Sequence, residues 1–260
     1  MRAGILAIES LGVSILITLI GLYLVRRIVG LENLRRNNEV AGVIIGIVGT
    51  IYAVVLAFIV VVEWQKYTEA SNTVATEANV LGDLSRMAER LPPELRKQVL
   101  TELRDYALSV SDDEWPLLAQ GNSSDKTAAF LNKIWKNYVI GQSPQSPVET
   151  ALYSESLRRL NDLSDSRRLR INSSRNGLPA MLWVVLIGGG MVTLCFTYFF
   201  GALNMRAQLL MVGALTGEIA FILVLIVSLD NPYRGELKMS SAPIHEQADH
   251  IGGRIERGGF

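Results

Sequence analysis

Two stretches of this chain carry no charge at all. Residues 40–62 and 182–203 lack Asp, Glu, Lys and Arg. A helix needs about 20 apolar residues to cross a hydrocarbon core roughly 30 Å thick. Lipid offers the backbone no hydrogen-bond partner, so a spanning segment must satisfy its own N–H and C=O groups as a helix. Two further windows are long and apolar enough, which predicts four spans: Ile5–Val25, Val40–Val62, Met181–Leu203 and Leu209–Leu229. The charges concentrate between Glu63 and Arg175. The expected fold is therefore an all-α membrane protein with four transmembrane helices and a helical water-facing domain inserted between the second and third. Its expected divisions are 1–62 for the first two spans (about 5–25 and 40–62), 63–180 for the helical domain, 181–230 for the last two spans and 231–260 for a tail.

The first span follows Arg2 as a signal peptide would, but no A-x-A-like site follows it and Arg26-Arg27 ends it, so it reads as a retained helix. Four crossings put the N-terminus, the helical domain and the tail on one side. Arg26, Arg27, Arg35 and Arg36 in the first loop oppose Arg167, Arg168, Arg170, Arg175, Arg234 and Lys238 on the other side, and the positive-inside rule does not decide between them.

The polar domain reads as helix throughout. The second span has no early stop and is expected to run on to about Leu91, before Pro92-Pro93. Helices follow over about Glu94–Val110, Asp125–Ile140 and Val148–Ser173, separated by a turn at Asp112-Asp113-Glu114-Trp115-Pro116 and a loop at Gly141–Pro147. The first of these stalks carries acids (Glu63, Glu69, Glu77, Asp83, Glu89) and the last carries Arg158, Arg159, Arg167, Arg168 and Arg170, which would match in an antiparallel pair. The tail from Ser240, with Gly252-Gly253 and Gly258-Gly259, reads as disordered.

Several chemistries have no support. The net charge is zero, which argues against a nucleic-acid partner, because phosphate binding needs a cationic excess. Cys195 stands alone in an apolar run and reads as a small buried hydrophobe. His245-Glu246 is followed by His250, five residues after the first histidine rather than four, so the zinc-protease spacing fails. Gly42, Gly46 and Gly49 precede no Lys-Ser/Thr pair, so there is no phosphate loop. No metal site, cofactor or enzyme is expected.

The second span carries the main signal. Gly42, Gly46, Gly49, Ala53, Leu56, Val60 and Glu63 share one face. Small residues at four-residue steps let helices approach closely in lipid. The stripe is either a packing seam or a pore wall formed with its copies, with an apolar constriction that gates by dewetting and a ring of Glu63 at one mouth. Tyr52, at the apolar waist, donates a hydrogen bond either to a passing ion or to a neighbouring helix. Glu218 lies in mid-span, where acids mark ion or proton paths by default; otherwise it is a neutral group bonded to Thr193, Thr197 or Tyr198. Glu9 lies near one interface. Trp64 and Tyr67 are placed as interface anchors.

The run Gly46-x-x-Gly49-Thr50-Ile51-Tyr52-Ala53-Val54-Val55-Leu56-Ala57-Phe58, then Glu63-Trp64, Glu77-Ala78, Arg168-x-Arg170, Leu178-Pro179, Leu182-Trp183, Asn231-Pro232 and Gly235, resembles the bestrophin-like family of functionally uncharacterised, mostly bacterial membrane proteins. The resemblance covers about Glu39–Gly235. It implies an oligomeric channel with four spans per subunit, a pore lined by the second span and a cytosolic helical domain, in a bacterial inner (plasma) membrane. The chain departs from bestrophins in lacking stacked Phe residues on that face and an acidic calcium clasp. The reading is a homo-oligomeric ion channel whose partners are its own copies, the lipid bilayer and permeant inorganic ions. Resemblance favours anions and the acids Glu63 and Glu218 favour cations. A non-conducting scaffold or sensor is the rival, and a proton-coupled transporter using Glu218 is a weaker third.

Overall fold

The computed structural model describes residues 2–36, 38–140 and 144–257. Every regular element among them is helical: α1 Arg2–Val29, α2 Leu31–Arg36, α3 Asn38–Ala88, α4 Pro93–Ser109, a π-helical turn Val110–Glu114, α5 Trp115–Leu118, α6 Asp125–Ile140, α7 Pro147–Arg175, α8 Ala180–Tyr198, α9 Met205–Asp230 and α10 Ala242–Arg257. Four helical stretches are long and apolar enough to cross a membrane, and they contain α1, α3, α8 and α9. The chain separates into two compact units, 1–65 with 178–230 and 66–177 with 231–260. The helix α3 contributes to both. Residues 141–143 of the expected loop and Gly258-Gly259 of the tail lie outside the described residues.

In the membrane unit α1 packs against α8 and α9, and α8 against α9. Gly30 has φ +81, so the break between α1 and α2 needs glycine. The helix α8 ends at Tyr198 rather than at the expected Leu203. The reason lies in the chain that follows. The Gly201 N–H donates to Asn38 Oδ1 at 3.0 Å, and a Cβ there would sit 2.7 Å from the Arg35 backbone nitrogen. This close approach turns the chain away from helical geometry. Cys195, expected to be buried, is exposed on α8. An apolar thiol on a span needs no cover from the rest of the chain, because lipid covers it.

The helical domain is closed around its own core. Val74, Leu81 and Leu84 of α3 cluster with Leu103 of α4, Ile134 of α6 and Leu163 of α7. Burying one such side chain stabilises by about 1.5–3 kcal/mol. Pro93 opens α4 at a position that has no N–H to satisfy. Ser146 caps α7 by accepting from the Glu149 N–H at 3.2 Å. The expected turn at Asp112-Asp113-Glu114 is instead the π turn, which continues α4 into α5. Its wider winding alters the helical register, and Val110 and Glu114 both point into the core.

The tail is helical rather than disordered. Residues read as disordered form α10, which packs on α4 with Ile244, Ala248 and Ile251 fully buried. Steps of four and three residues between those positions are a helical stripe, masked in the sequence by Gly252-Gly253. Gly252 is small because α10 comes close to Arg104: a Cβ there would lie 3.3 Å from Arg104 Nε. An Arg254–Glu89 ion pair ties α10 back to the end of α3.

Candidate functional site

On the membrane unit, α3 and α9 border an open groove of about 530 Å³. The helical repeat drifts across the seven residues read as one face of α3, and the structure divides them. Gly42, Gly46 and Ala53 are exposed, Gly49 and Val60 half-buried, and Leu56 and Glu63 buried. A Cβ at Gly46 or Gly49 would meet nothing within 4 Å, and one at Gly42 only Phe200 at 3.9 Å. Gly49, Ala53, Leu56 and Val60 line the groove. Glu63 is fully buried and lies off this open face.

Tyr52 also touches the groove, but its hydroxyl donates to the Leu186 carbonyl at 2.9 Å. The helix α8 makes room for its ring with two glycines: a Cβ would lie 2.6 Å from the ring at Gly189 and 2.9 Å from the hydroxyl at Gly190. Of the two roles open to Tyr52, a bond to a neighbouring helix is the one realised. This partnership was not read from the sequence, although Gly188-Gly189-Gly190 in a span was its signal.

Glu218 lines the same groove and is exposed at the middle of α9. The expected alternative partners are engaged elsewhere. Thr193 Oγ1 donates to the Gly189 carbonyl at 2.8 Å and Thr197 Oγ1 to the Leu194 carbonyl at 2.6 Å. Among the described residues nothing hydrogen-bonds the Glu218 carboxyl. Glu9 is exposed on α1, Trp64 is exposed, and Tyr67 is half-buried with its hydroxyl donating to the Leu237 carbonyl at 3.0 Å. No three His, Cys, Asp or Glu side chains among the described residues form a metal-binding group.

The helical domain holds the opposite arrangement, a buried ionic cluster. Glu77, Glu114 and Arg170 are each 0% exposed. Arg170 Nε donates to Glu77 Oε2 at 2.6 Å, and Arg170 Nη2 to Glu114 Oε2 at 2.9 Å. Arg167 Nη2 donates to Glu114 Oε1 at 2.6 Å, and the Tyr106 hydroxyl to Glu77 Oε1 at 2.6 Å. The Ser124 N–H completes Glu114 at 3.0 Å, and the Arg170 guanidinium lies 5.7 Å from the Trp115 ring centre. Burial pushes the Glu114 carboxyl up, but Arg170 and Arg167 outweigh it and hold the group below its ordinary value. Burial likewise acts to lower Arg170, and the Glu77 carboxylate more than reverses this. Burial and the neighbouring Glu77 charge both raise the Tyr106 phenol well above its ordinary value. The stalks expected to match by charge do so at Glu77–Arg170 and at Asp83–Arg159, the latter at 3.8 Å. Glu114 was read only as part of a turn. The π turn that carries it inward has no sequence signal of its own.

A family model described as a Bestrophin-like domain matches residues 12–244. Among solved structures, a variant of a bacterial bestrophin homologue from Klebsiella pneumoniae is similar at 12% identity and TM-score 0.70, over 95% of this chain and 99% of that one. A second variant of that protein gives 13% identity and TM-score 0.70 over 98% of both chains. A structure described only as a membrane protein gives 13% identity and TM-score 0.65 over 94% of this chain and 98% of that one. At these identities the likeness is one of fold. No curated protein matches the sequence.

Proposed function

The chain belongs to the Bestrophin-like family, and from that premise we propose that it is a homo-oligomeric ion channel whose pore is walled by the membrane part of α3. The observation that carries this reading is the open face of α3: Gly46 and Gly49 meet nothing of their own chain, and beside them lies a groove of about 530 Å³. A charged carboxyl facing lipid at mid-span costs at least about 2.5 kcal/mol. Glu218 on that groove therefore favours an assembly in which the groove faces water or another subunit. Gly42, Gly46, Gly49, Ala53 and Val60 form the wall, Leu56 narrows it at its edge, and Tyr52 braces α3 against α8.

Reconstitution into liposomes tests this. Purified protein should pass inorganic ions, and Ala53→Trp should block the flux by filling the groove. Glu218→Gln should alter the ratio of cation to anion passage if the carboxyl borders the path. A protein that assembles but passes no ions, with Ala53→Trp and Leu56→Ala both silent in a cellular leak assay, sinks the channel reading. The same small-residue face supports the rival, a non-conducting scaffold in which it is a packing seam. A dry, closed bundle in the assembled protein would favour that rival.

A further inference from the structure

Seven arginines of the helical domain, Arg86, Arg158, Arg159, Arg167, Arg168, Arg170 and Arg254, reach a carboxylate. In the membrane unit Arg26, Arg27, Arg35, Arg36 and Arg206 reach none among the described residues. These five lie at one end of the spans, on the last turn of α1, on α2 and on the first turn of α9. Only Glu32 and Glu39 offset them locally.

This end is built rather than frayed. Arg26 Nη1 donates to the Ala202 carbonyl at 2.9 Å and to Gln208 Oε1 at 2.6 Å. Both acceptors are neutral, so the guanidinium charge persists. Gln208, 2% exposed, donates through Nε2 to the Phe200 carbonyl at 2.6 Å. Asn38 clasps Gly201 through both of its amide atoms, at 3.0 and 3.4 Å. Arg35 lies against Gly201, where a Cβ would come within 2.7 Å of its Cγ. Asn38 and Gln208 border a groove of about 280 Å³, lined also by Thr197 and by the apolar Phe200, Met211 and Leu215.

We propose that this end of the membrane unit is a binding site for an anionic phospholipid. The headgroup phosphate is held by Arg35 and Arg206, with Arg27 and Arg36 supplying the surrounding field, and part of one acyl chain lies in the groove. An arginine cluster at a span end attracts anionic lipid headgroups, and salt screens the attraction. Guanidinium binds phosphate through two parallel N–H bonds, which an amine cannot do. The apolar groove distinguishes a lipid from a soluble anion. Tyr23, Ile28 and Leu203, exposed beside the cluster, place it at lipid depth.

Thermal unfolding of the full protein in nanodiscs of phosphatidylcholine alone, and with phosphatidylglycerol added, tests the site. Phosphatidylglycerol should raise the wild-type Tm by several degrees, and the rise should shrink in high salt. Arg27→Gln, Arg35→Gln, Arg36→Gln and Arg206→Gln combined should remove the rise while leaving Tm in phosphatidylcholine unchanged. Should that variant fail to insert, native mass spectrometry of the wild type decides: at least tenfold preferential retention of phosphatidylglycerol over phosphatidylcholine is expected. Equal retention of the two lipids overturns the proposal. So does a Tm rise that inorganic phosphate reproduces, or one that survives in the quadruple variant.

Discussion

Glu77 and Glu114 of the helical domain and Glu218 of the membrane unit sit in opposite surroundings. In the domain Glu77 and Glu114 are fully buried, and each accepts hydrogen bonds from arginine and from a further donor of the same chain. In the membrane unit Glu218 is exposed in a groove, and nothing described bonds it. A buried charge without a partner costs several kcal/mol, so a single chain can hold charge inside only where it also supplies the countercharge. The domain meets that condition alone. At Glu218 the membrane unit supplies no hydrogen-bond partner among the described residues, and the small-residue face of α3 borders the same groove. The proposed assembly would complete the structure at that groove.

The largest test of this contrast is Arg170→Ala. It leaves two acids buried without their main partner and should destabilise the domain by about 3–5 kcal/mol, read as a drop in the unfolding midpoint of the detergent-solubilised protein. Glu218→Gln should leave that midpoint nearly unchanged, because no intrachain bond is lost. A large loss from Glu218→Gln and none from Arg170→Ala would invert the comparison.

Acid should weaken the same cluster more gradually. Glu114 is held below its ordinary value of 4.5 when folded. The unfolded chain therefore binds its proton first as pH falls. The stability Glu114 contributes is complete above about 4.5 and declines as pH drops through the lower folded value. Unfolding midpoints measured at successive pH values should fall below that point, and Arg167→Met should flatten the decline.

Within the membrane unit, Gly189→Ala should cost about 1–3 kcal/mol by overpacking, since its Cβ would lie 2.6 Å from the Tyr52 ring. Tyr52→Leu in the same chain should recover part of the loss, as judged from a double-mutant cycle. The smallest effect is expected at Gly46→Ala. With nothing within 4 Å of the new Cβ, the change in stability should stay within about 0.5 kcal/mol. The same substitution should still alter ion flux if this face meets its copies across a pore.

Much of the architecture was legible because lipid imposes a simple rule. Apolar windows of about 20 residues identified the spans, and the lack of a stop after Glu63 anticipated α3, which runs unbroken from Asn38 to Ala88. Elements set by close approach were not legible. The end of α8 depends on Gly201 meeting Arg35, and α10 depends on a buried stripe and on Gly252 lying against Arg104 of α4, which composition alone reads as disorder. The candidate site was half legible: the stripe on α3 and Glu218 stood out as residue types in an unusual place, but nothing in their spacing tied them to one groove.

The order of residues alone determined which segments enter the bilayer and that every element among the described residues is a helix, because solvent and backbone hydrogen bonding act on each segment separately. Only tertiary structure decided which acids find arginine and which stay open, that Tyr52 turns to Leu186, and that Glu63 turns inward. Those outcomes depend on distances of a few ångströms between residues far apart in the chain. Electrostatic and packing energies change steeply over such distances.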